Sequence, residues 1–166
     1  MKSLSEIETV SKRSSRATGF SWGIAEEIGK NTKMLEMFGL SGIKNLNYYF
    51  RVRGVKNFEK LNLISKKNRS TKLAFCPIIA GLSFLDQVRS LENFSEINFE
   101  KIAYPLLFLP FISRASEIIG KRIFLKIDDR DFLLNFNNNI YSNYAKNEII
   151  ESAENIYLKI LENRDS

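Results

Sequence analysis

The chain contains no histidine and one cysteine, Cys76, among its 166 residues. Histidine is the commonest general base near neutral pH and the commonest metal ligand. Its absence excludes a Ser-His-Asp or Cys-His nucleophilic site built from these residues alone. One cysteine excludes an intramolecular disulfide and a metal site made of several cysteines. We therefore expect no metal site and no cofactor, and any acid–base chemistry must use Asp, Glu, Lys, Tyr or Cys.

Long apolar runs are also missing. The longest run, residues 73–85, contains Pro77 and Gly81 and falls short of the roughly 20 residues that cross a bilayer. The first residues, MKSLSEIETVSKRSSRATG, lack the apolar centre of a secretory signal. We expect no membrane association and a cytoplasmic location.

The chain is instead rich in aromatic and basic residues. It has 13 phenylalanines, 6 tyrosines and a formal net charge of +6, with 44% hydrophobic residues. This length fits one domain that buries its own core. We expect a single domain over residues 1–166, with a basic, exposed segment at 51–72 that forms a short helix and a loop.

Capping motifs predict an N-terminal helical pair or triplet. The SLSE motif at Ser3 is a capping box that begins a first helix, and Gly19 ends it. Ser21 then caps a second helix that stops at Gly39. A third helical segment, SGIKNLNYYFRV, begins at Ser41.

Strands are expected in the middle of the chain. Residues 73–85 predict a buried strand, a turn and a short helix, and residues 93–100 predict a linker. The sequence YPLLFLPFISRASEIIG predicts a buried strand that continues as a helix up to Gly120. The segments RIFLKI and FLLNFN around DDRD predict a β-hairpin near 122–137 with a four-residue connection.

The last segment predicts a C-terminal amphipathic helix, because Ile149, Ala153, Ile156 and Ile160 recur at helical spacing. Together these elements indicate an α+β fold with a small, mostly antiparallel sheet.

The stretch GFSWGIAEEIGK, residues 19–30, has two interpretations. In the structural one, Glu26 and Glu27 complement the helix dipole, Glu26 pairs with Lys30, and Gly23 and Gly29 let another helix pack closely. Adjacent helical residues point about 100° apart, so the two carboxylates do not face one ligand.

The alternative interpretation is a ligand-binding site. Trp22 and Glu26 would then lie at the mouth of a cleft, with Arg13 or Arg16 supplying positive charge and Tyr144 converging on them.

Basic residues 66–72 suggest a weaker, third-ranked function in nucleic-acid binding. Lys66, Lys67, Arg69 and Lys72, with Arg51 and Arg53 upstream, could neutralise phosphates. The aromatic residues around Tyr49 could stack on bases. No nucleic-acid-binding motif accompanies them, and charge runs are usually solvated.

Two further features favour structural roles. Cys76 is typical of a buried, inert core cysteine because no histidine can activate it. The DDRD run, Asp128 to Asp131, lacks the spacing of a calcium loop, and turn chemistry accounts for it.

The stretch SLSEIETVSKRSSRATGFSWGIAEEIGK resembles the start of an uncharacterised bacterial family, a domain of unknown function of alphaproteobacterial type. The resemblance is most specific over residues 3–40. The blocks FCPIIAGLSFLD and YPLLFLPFI are similar to later parts of that family, whereas its glycine-rich C-terminal segment has no counterpart here. The resemblance implies no activity, cofactor or partner.

The function is thus unknown from sequence. The favoured class is a small binding or accessory protein, with a homo-oligomer or protein partner and with a small-molecule ligand left open. The alternative is a histidine-independent, metal-free enzyme that acts on a small metabolite through Glu, Arg and Tyr side chains.

Overall fold

A computed structural model of the chain describes residues 2–135, 139–142 and 149–161. Within these ranges the fold is α+β, as predicted. The helices are α1 (Leu4–Ala17), α2 (Trp22–Met37), α3 (Gly42–Arg53), α4 (Pro77–Leu91) and α5 (Leu109–Ile119), with a 3-10 turn at Pro105–Leu107. The strands are β1 (Lys67–Asn68), β2 (Glu96–Ala103), β3 (Ile123–Ile127), β4 (Arg130–Leu134), β5 (Ile140–Ser142) and β6 (Ser152–Ile160).

The strands form one sheet in the order β1-β2-β6-β3-β4-β5. Only the short pairing of β1 with β2 is parallel, and the other pairings are antiparallel. The expectation of a mostly antiparallel sheet is therefore confirmed. Alternate residues are buried along β3 and along the second half of β6, because successive side chains point to opposite faces.

The buried face of the sheet packs on α4 and on the chain that leads into α5. Phe99 of β2 has its ring centroid 6.4 Å from that of Phe84 of α4 and 5.1 Å from that of Phe108. All three side chains are fully buried. Edge and tilted aromatic contacts of this kind add roughly 0.5–1.5 kcal/mol beyond area burial, so this trio fixes the helices on the sheet.

The N-terminal helices begin and end where the capping motifs predict. Ser3 forms the complete capping box, and the Ser21 hydroxyl accepts a hydrogen bond from the N–H of Ile24. Gly19 and Gly39 have positive φ angles of 107° and 74°. Gly42, which follows Ser41, begins α3.

The two helical glycines of α2 have different surroundings. A Cβ atom on Gly29 would lie 2.8 Å from the backbone oxygen of Glu8 in α1, so the predicted close approach of α1 is confirmed. A Cβ atom on Gly23 would meet nothing within 4 Å. Close packing therefore explains Gly29, and the same explanation is wrong for Gly23.

The middle of the chain differs from prediction in three places. Residues 77–91 form one continuous helix where a strand, a turn and a short helix were expected, because Pro77 occupies the first helical position, which tolerates proline. Residues 96–103 form β2 where a linker was expected. Residues 105–107 form a 3-10 turn where a strand was expected, and α5 then ends at Gly120 with φ 65°, as predicted.

The basic segment 51–72 contains no helix of its own. Residues 51–53 complete α3, and residues 67–68 form β1. Most of its side chains are exposed, while Ile64 and Asn68 are buried. The short helix predicted there is wrong.

The predicted hairpin is confirmed as β3 and β4, although its connection is shorter than expected. Ile127 and Arg130 are paired, so Asp128 and Asp129 alone make the turn. Asp128 has φ 52°, the left-handed conformation that aspartate tolerates better than most residues.

The predicted C-terminal amphipathic helix is wrong, because these residues form β6. Ala153, Ile156, Leu158 and Ile160 are buried. Ile156, Leu158 and Ile160 alternate with the period of two that is typical of a strand. The helical prediction was based on residues that do not include Leu158, so it did not take this alternation into account. Hydrogen bonding to β2 on one side and to β3 on the other makes β6 central, so tertiary pairing overrides the helical spacing.

Among the described residues, no helix has the length and apolarity needed to cross a membrane. The described residues also contain no cluster of three or more His, Cys, Asp or Glu side chains suited to a metal ion. The single-domain expectation stays a prediction.

Candidate functional site

Three of the predicted ligand-binding residues meet on an exposed face of the α1–α2 hairpin. The guanidinium carbon of Arg16 lies 4.4 Å from the ring centroid of Trp22, and Lys12 Nζ lies 5.6 Å from it. Lys12 Nζ also lies 3.3 Å from Glu26 Oε1, so Glu26 pairs across the hairpin rather than with Lys30. The Trp22 side chain is 62% exposed. This arrangement joins the two helices through cation–π and ionic contacts.

The other two predicted ligand-binding residues are Arg13 and Tyr144. Arg13 is exposed on α1, and Tyr144 lies outside the described residues. The predicted cleft, with Trp22 and Glu26 at its mouth, Arg13 or Arg16 as its positive charge and Tyr144 converging on them, therefore stays a prediction.

Glu27 points away from Glu26 and towards α5. Its carboxylate forms an ion pair with Arg114, which also donates to Asn31 Oδ1 at 3.4 Å. The two adjacent carboxylates thus serve different neighbours, as the 100° rotation predicts. Neither lies in the first turn of α2, so the predicted interaction with the helix dipole is wrong.

The basic residues proposed for nucleic-acid binding lie beside acidic ones. Lys66, Lys67, Arg69 and Lys72 are all exposed. Arg69 Nε lies 3.5 Å from Glu100 Oε1, and the groove beside Lys66 and Lys67 is also lined by Glu96. These carboxylates reduce the positive potential that phosphates would meet.

A different group of residues, which sequence reasoning did not assemble, surrounds a cavity of about 430 Å³. It lies between the starts of α2 and α4 and the segment that follows α3. Its lining residues are Gly19, Phe20, Ser21, Ile24, Tyr49, Arg53, Lys56, Asn57, Phe58, Lys60, Cys76 and Ile79. We call it the 53–60 cavity, after the segment that supplies its cations.

The floor of the 53–60 cavity is a buried polar pair. The Tyr49 hydroxyl and Cys76 Sγ lie 2.7 Å apart and share a hydrogen bond in which either can donate. Tyr49 is fully buried and Cys76 is 4% exposed. Burial, followed by the adjacent Cys76 thiol, raises the pKa of the Tyr49 phenol well above its usual range. Tyr49 is therefore neutral at physiological pH and acts as a hydrogen-bonding group, not as a base.

Arg53 is held in place from two sides. Its guanidinium carbon lies 3.8 Å from the ring centroid of Phe20, and its Nη1 donates to the Tyr49 hydroxyl at 3.5 Å. Stacking on one face of a planar guanidinium leaves its in-plane N–H groups available. Arg53 is thus oriented in the cavity wall with donors to spare.

The cavity is positively charged. Arg53, Lys56 and Lys60 line it, and none of its described lining residues carries a carboxylate. Among the described residues, none of these three cations forms an ion pair.

The first turn of α4 adds to this positive character. Cys76 is the N-cap residue and makes no side-chain cap hydrogen bond, so the positive end of the helix dipole is not offset there.

A larger cavity, of about 620 Å³, lies between the end of α2 and β5. Its charged lining residue is Glu36, whose Oε2 accepts the N–H of Ile43 at 2.9 Å. That carboxylate caps the start of α3, so its role is structural. The described lining residues of this cavity include no cluster of ionisable groups comparable to that of the 53–60 cavity.

The comparisons with known proteins bear on the same part of the chain. Residues 2–77 match the model of a family described as a protein of unknown function, DUF3726. No curated protein and no solved structure matches the chain significantly. The predicted resemblance to a family of unknown function is confirmed over this segment. Apart from Ile79, every lining residue of the 53–60 cavity lies within the matched segment.

Sequence reasoning missed the cavity because its residues are far apart in the chain. Tyr49 and Cys76 are 27 positions apart, and Cys76 was interpreted as an inert core residue. The available signal is the mixture of aromatic and basic residues from Tyr49 to Lys60, which the sequence divides between the third helical segment and the exposed segment 51–72.

Proposed function

We propose that the protein is a small binding or accessory protein whose 53–60 cavity holds a small anionic molecule. The observation that supports this is the set of three cations, Arg53, Lys56 and Lys60, around a cavity whose described lining lacks a carboxylate. Its volume of about 430 Å³ falls within the usual range for small-molecule sites. Unpaired cations that share a concave site attract anions over long distances.

A histidine-independent enzyme is the second candidate, and the cavity favours it less. Its lining offers Tyr49, Cys76 and lysines as proton donors or acceptors, and its described lining residues include neither a histidine nor a carboxylate. General acid–base catalysis needs a group with a pKa near the working pH. Neutral, buried Tyr49 does not supply one, so binding without turnover is the simpler proposal.

The proposal predicts that Arg53→Gln weakens anion binding. Benzoate and phenyl phosphate are suitable probes, each titrated calorimetrically into the protein at low ionic strength. We expect at least one of them to bind the parent and the variant to bind it about tenfold more weakly, because a charged hydrogen-bond donor is lost.

Arg51→Gln is the matched control. Arg51 lies on the same helix, and its guanidinium carbon lies 5.2 Å from the exposed Tyr48 ring, outside the cavity lining. Its replacement should leave the affinity unchanged. If the parent binds neither probe, or if both variants weaken binding equally, the 53–60 cavity is not an anion site.

We also propose that the protein works in the cytoplasm as a homo-oligomer. The free, buried Cys76 suits a reducing compartment. The outer face of the sheet supports self-association, because Phe124, Leu133 and Tyr141 lie side by side on β3, β4 and β5. The predicted C-terminal amphipathic helix does not contribute such a face, because its residues form the central strand β6.

Sedimentation tests the oligomeric state. We expect a dimer at micromolar concentration that dissociates when Leu133→Lys places a charge in the middle of the apolar row. Thr9→Lys, which adds the same charge on the exposed face of α1, should leave the dimer intact. A single species of 19.2 kDa at every concentration would contradict this proposal.

A further inference from the structure

We infer that the ligand of the 53–60 cavity is a phosphate monoester of a compact apolar group. This inference rests on the proposed function and narrows it from small anions in general to amphipathic dianions. It depends on the charge of the cavity, on the orientation of Arg53 and on the division of the lining into a cationic and an apolar part.

The charge of the cavity suits a dianion better than a monoanion. Arg53, Lys56 and Lys60 contribute three positive charges, with no carboxylate among the described lining residues. A phosphate monoester carries about −1.5 to −2 charges at pH 7, whereas a carboxylate carries one. Lys56 and Lys60 are exposed, so they can turn towards a phosphate without leaving a buried charge unpaired when the cavity is empty.

Arg53 presents the geometry that phosphate oxygens require. Its stacking on Phe20 and its contact with the Tyr49 hydroxyl restrict the guanidinium before any ligand arrives. A planar guanidinium binds two oxygens of one phosphate through parallel N–H groups. Because the side chain is already ordered, less conformational entropy is lost on binding.

The apolar lining residues of the cavity favour a ligand that also carries an apolar group. All three cations come from residues 53–60, whereas Ile24 and Ile79 come from the first turns of α2 and α4. A ligand whose phosphate meets the three cations has its other end available to the apolar lining residues, which include these isoleucines. Inorganic phosphate would leave that apolar surface in contact with water and lose the hydrophobic contribution.

A matched series of probes tests both halves of the ligand. Phenyl phosphate has the dianion and the ring, benzoate has the ring with one charge, inorganic phosphate has no ring, and benzyl alcohol has no charge. We expect phenyl phosphate to bind about tenfold more tightly than benzoate and about tenfold more tightly than inorganic phosphate, while benzyl alcohol does not bind measurably.

The pH dependence distinguishes the phosphate charge from other causes. The second pKa of a phosphate monoester is about 6, so the advantage of phenyl phosphate over benzoate should shrink between about pH 7.5 and about pH 5. An Ile79→Ser variant, which alters only the apolar part, should weaken phenyl phosphate binding and leave inorganic phosphate unaffected.

The outcomes separate this inference from the proposed function. If either benzoate or inorganic phosphate binds as tightly as phenyl phosphate, the ligand is not a phosphate monoester of an apolar group. The proposal of an anion-binding site is then retained. If none of the anions binds, both fail. Far-UV circular dichroism on each variant establishes that it is folded before its affinity is measured.

Discussion

Gly81→Ala should destabilise the protein by about 2 kcal/mol, although alanine is the better helix former. Gly81 lies inside α4, and a Cβ atom there would be 2.1 Å from Cδ2 and 2.6 Å from Cγ of Phe111. Phe111 is fully buried in α5, so its ring cannot move aside without disturbing the core. Overpacking of this kind costs typically 1–3 kcal/mol and occasionally more, which exceeds the roughly 1 kcal/mol gained in helix propensity.

Gly23→Ala is the matched control, because a Cβ atom on that helical glycine meets nothing within 4 Å. It should stabilise the protein by up to about 1 kcal/mol. Urea unfolding followed by circular dichroism gives both values.

Phe111→Leu should recover part of the loss when combined with Gly81→Ala, since the smaller side chain leaves space for the methyl group. Equal stability of Gly81→Ala and the parent would show that α4 and α5 are not in close contact at this point.

The close contacts of Gly29 and Gly81 show how far sequence reasoning reaches. The contact of Gly29 was predictable because α1 and α2 are consecutive helices joined by a short turn, with the glycine on a definable face. Gly81 lies in a run for which the sequence predicts a strand, a turn and a short helix, so the continuous helix from Pro77 that brings it against Phe111 was not predicted. Its contact also depends on α5, some 30 residues away, which local patterns do not place.

The same distinction explains which elements were predicted. Caps at Ser3 and Ser21 are local signals, and both helices begin where those signals lie. The strand β6 is stabilised by two neighbours distant in sequence, β2 and β3, and its own residues fit a helical count nearly as well. The pattern of residues within one segment cannot decide between a helix and a strand when the strands that pair with the segment are unknown.

The cavity was out of reach for a related reason. Among its cations, the sequence indicates a role in neutralising phosphates for Arg53 alone. Its floor pairs Tyr49 of α3 with Cys76, the residue that precedes α4. Sequence identifies which residues can carry charge or donate hydrogen bonds. Only the packing of α2, α3 and α4 determines that Arg53 stacks on Phe20 and faces a cavity.

The turn between β3 and β4 gives the second large effect. Oδ1 of Asp128 accepts hydrogen bonds from the N–H groups of Glu154 and Asn155, each at 3.1 Å. The backbone N–H of Asp128 also donates to the Asn155 oxygen at 2.9 Å. The sequence indicated only turn chemistry for DDRD, whereas Asp128 ties the hairpin to β6. Asp128→Ala should therefore destabilise the protein by about 2 kcal/mol, through loss of charge-assisted hydrogen bonds and through the positive φ angle.

Three further variants assign that loss to its causes. Asp128→Gly removes the side chain but adopts the positive φ angle without strain. Relative to Asp128→Ala it should therefore recover only the conformational part of the lost stability, about 1 kcal/mol. Asp128→Asn keeps an acceptor oxygen and tolerates the left-handed conformation, so it should lie closest to the parent. Asp129→Ala, in the same turn, removes a carboxylate that is 93% exposed and should change the free energy of unfolding by less than about 0.5 kcal/mol. If urea unfolding gives Asp128→Ala and Asp129→Ala the same stability, the carboxylate of Asp128 does not hold the hairpin to β6, and its two contacts are too exposed to matter.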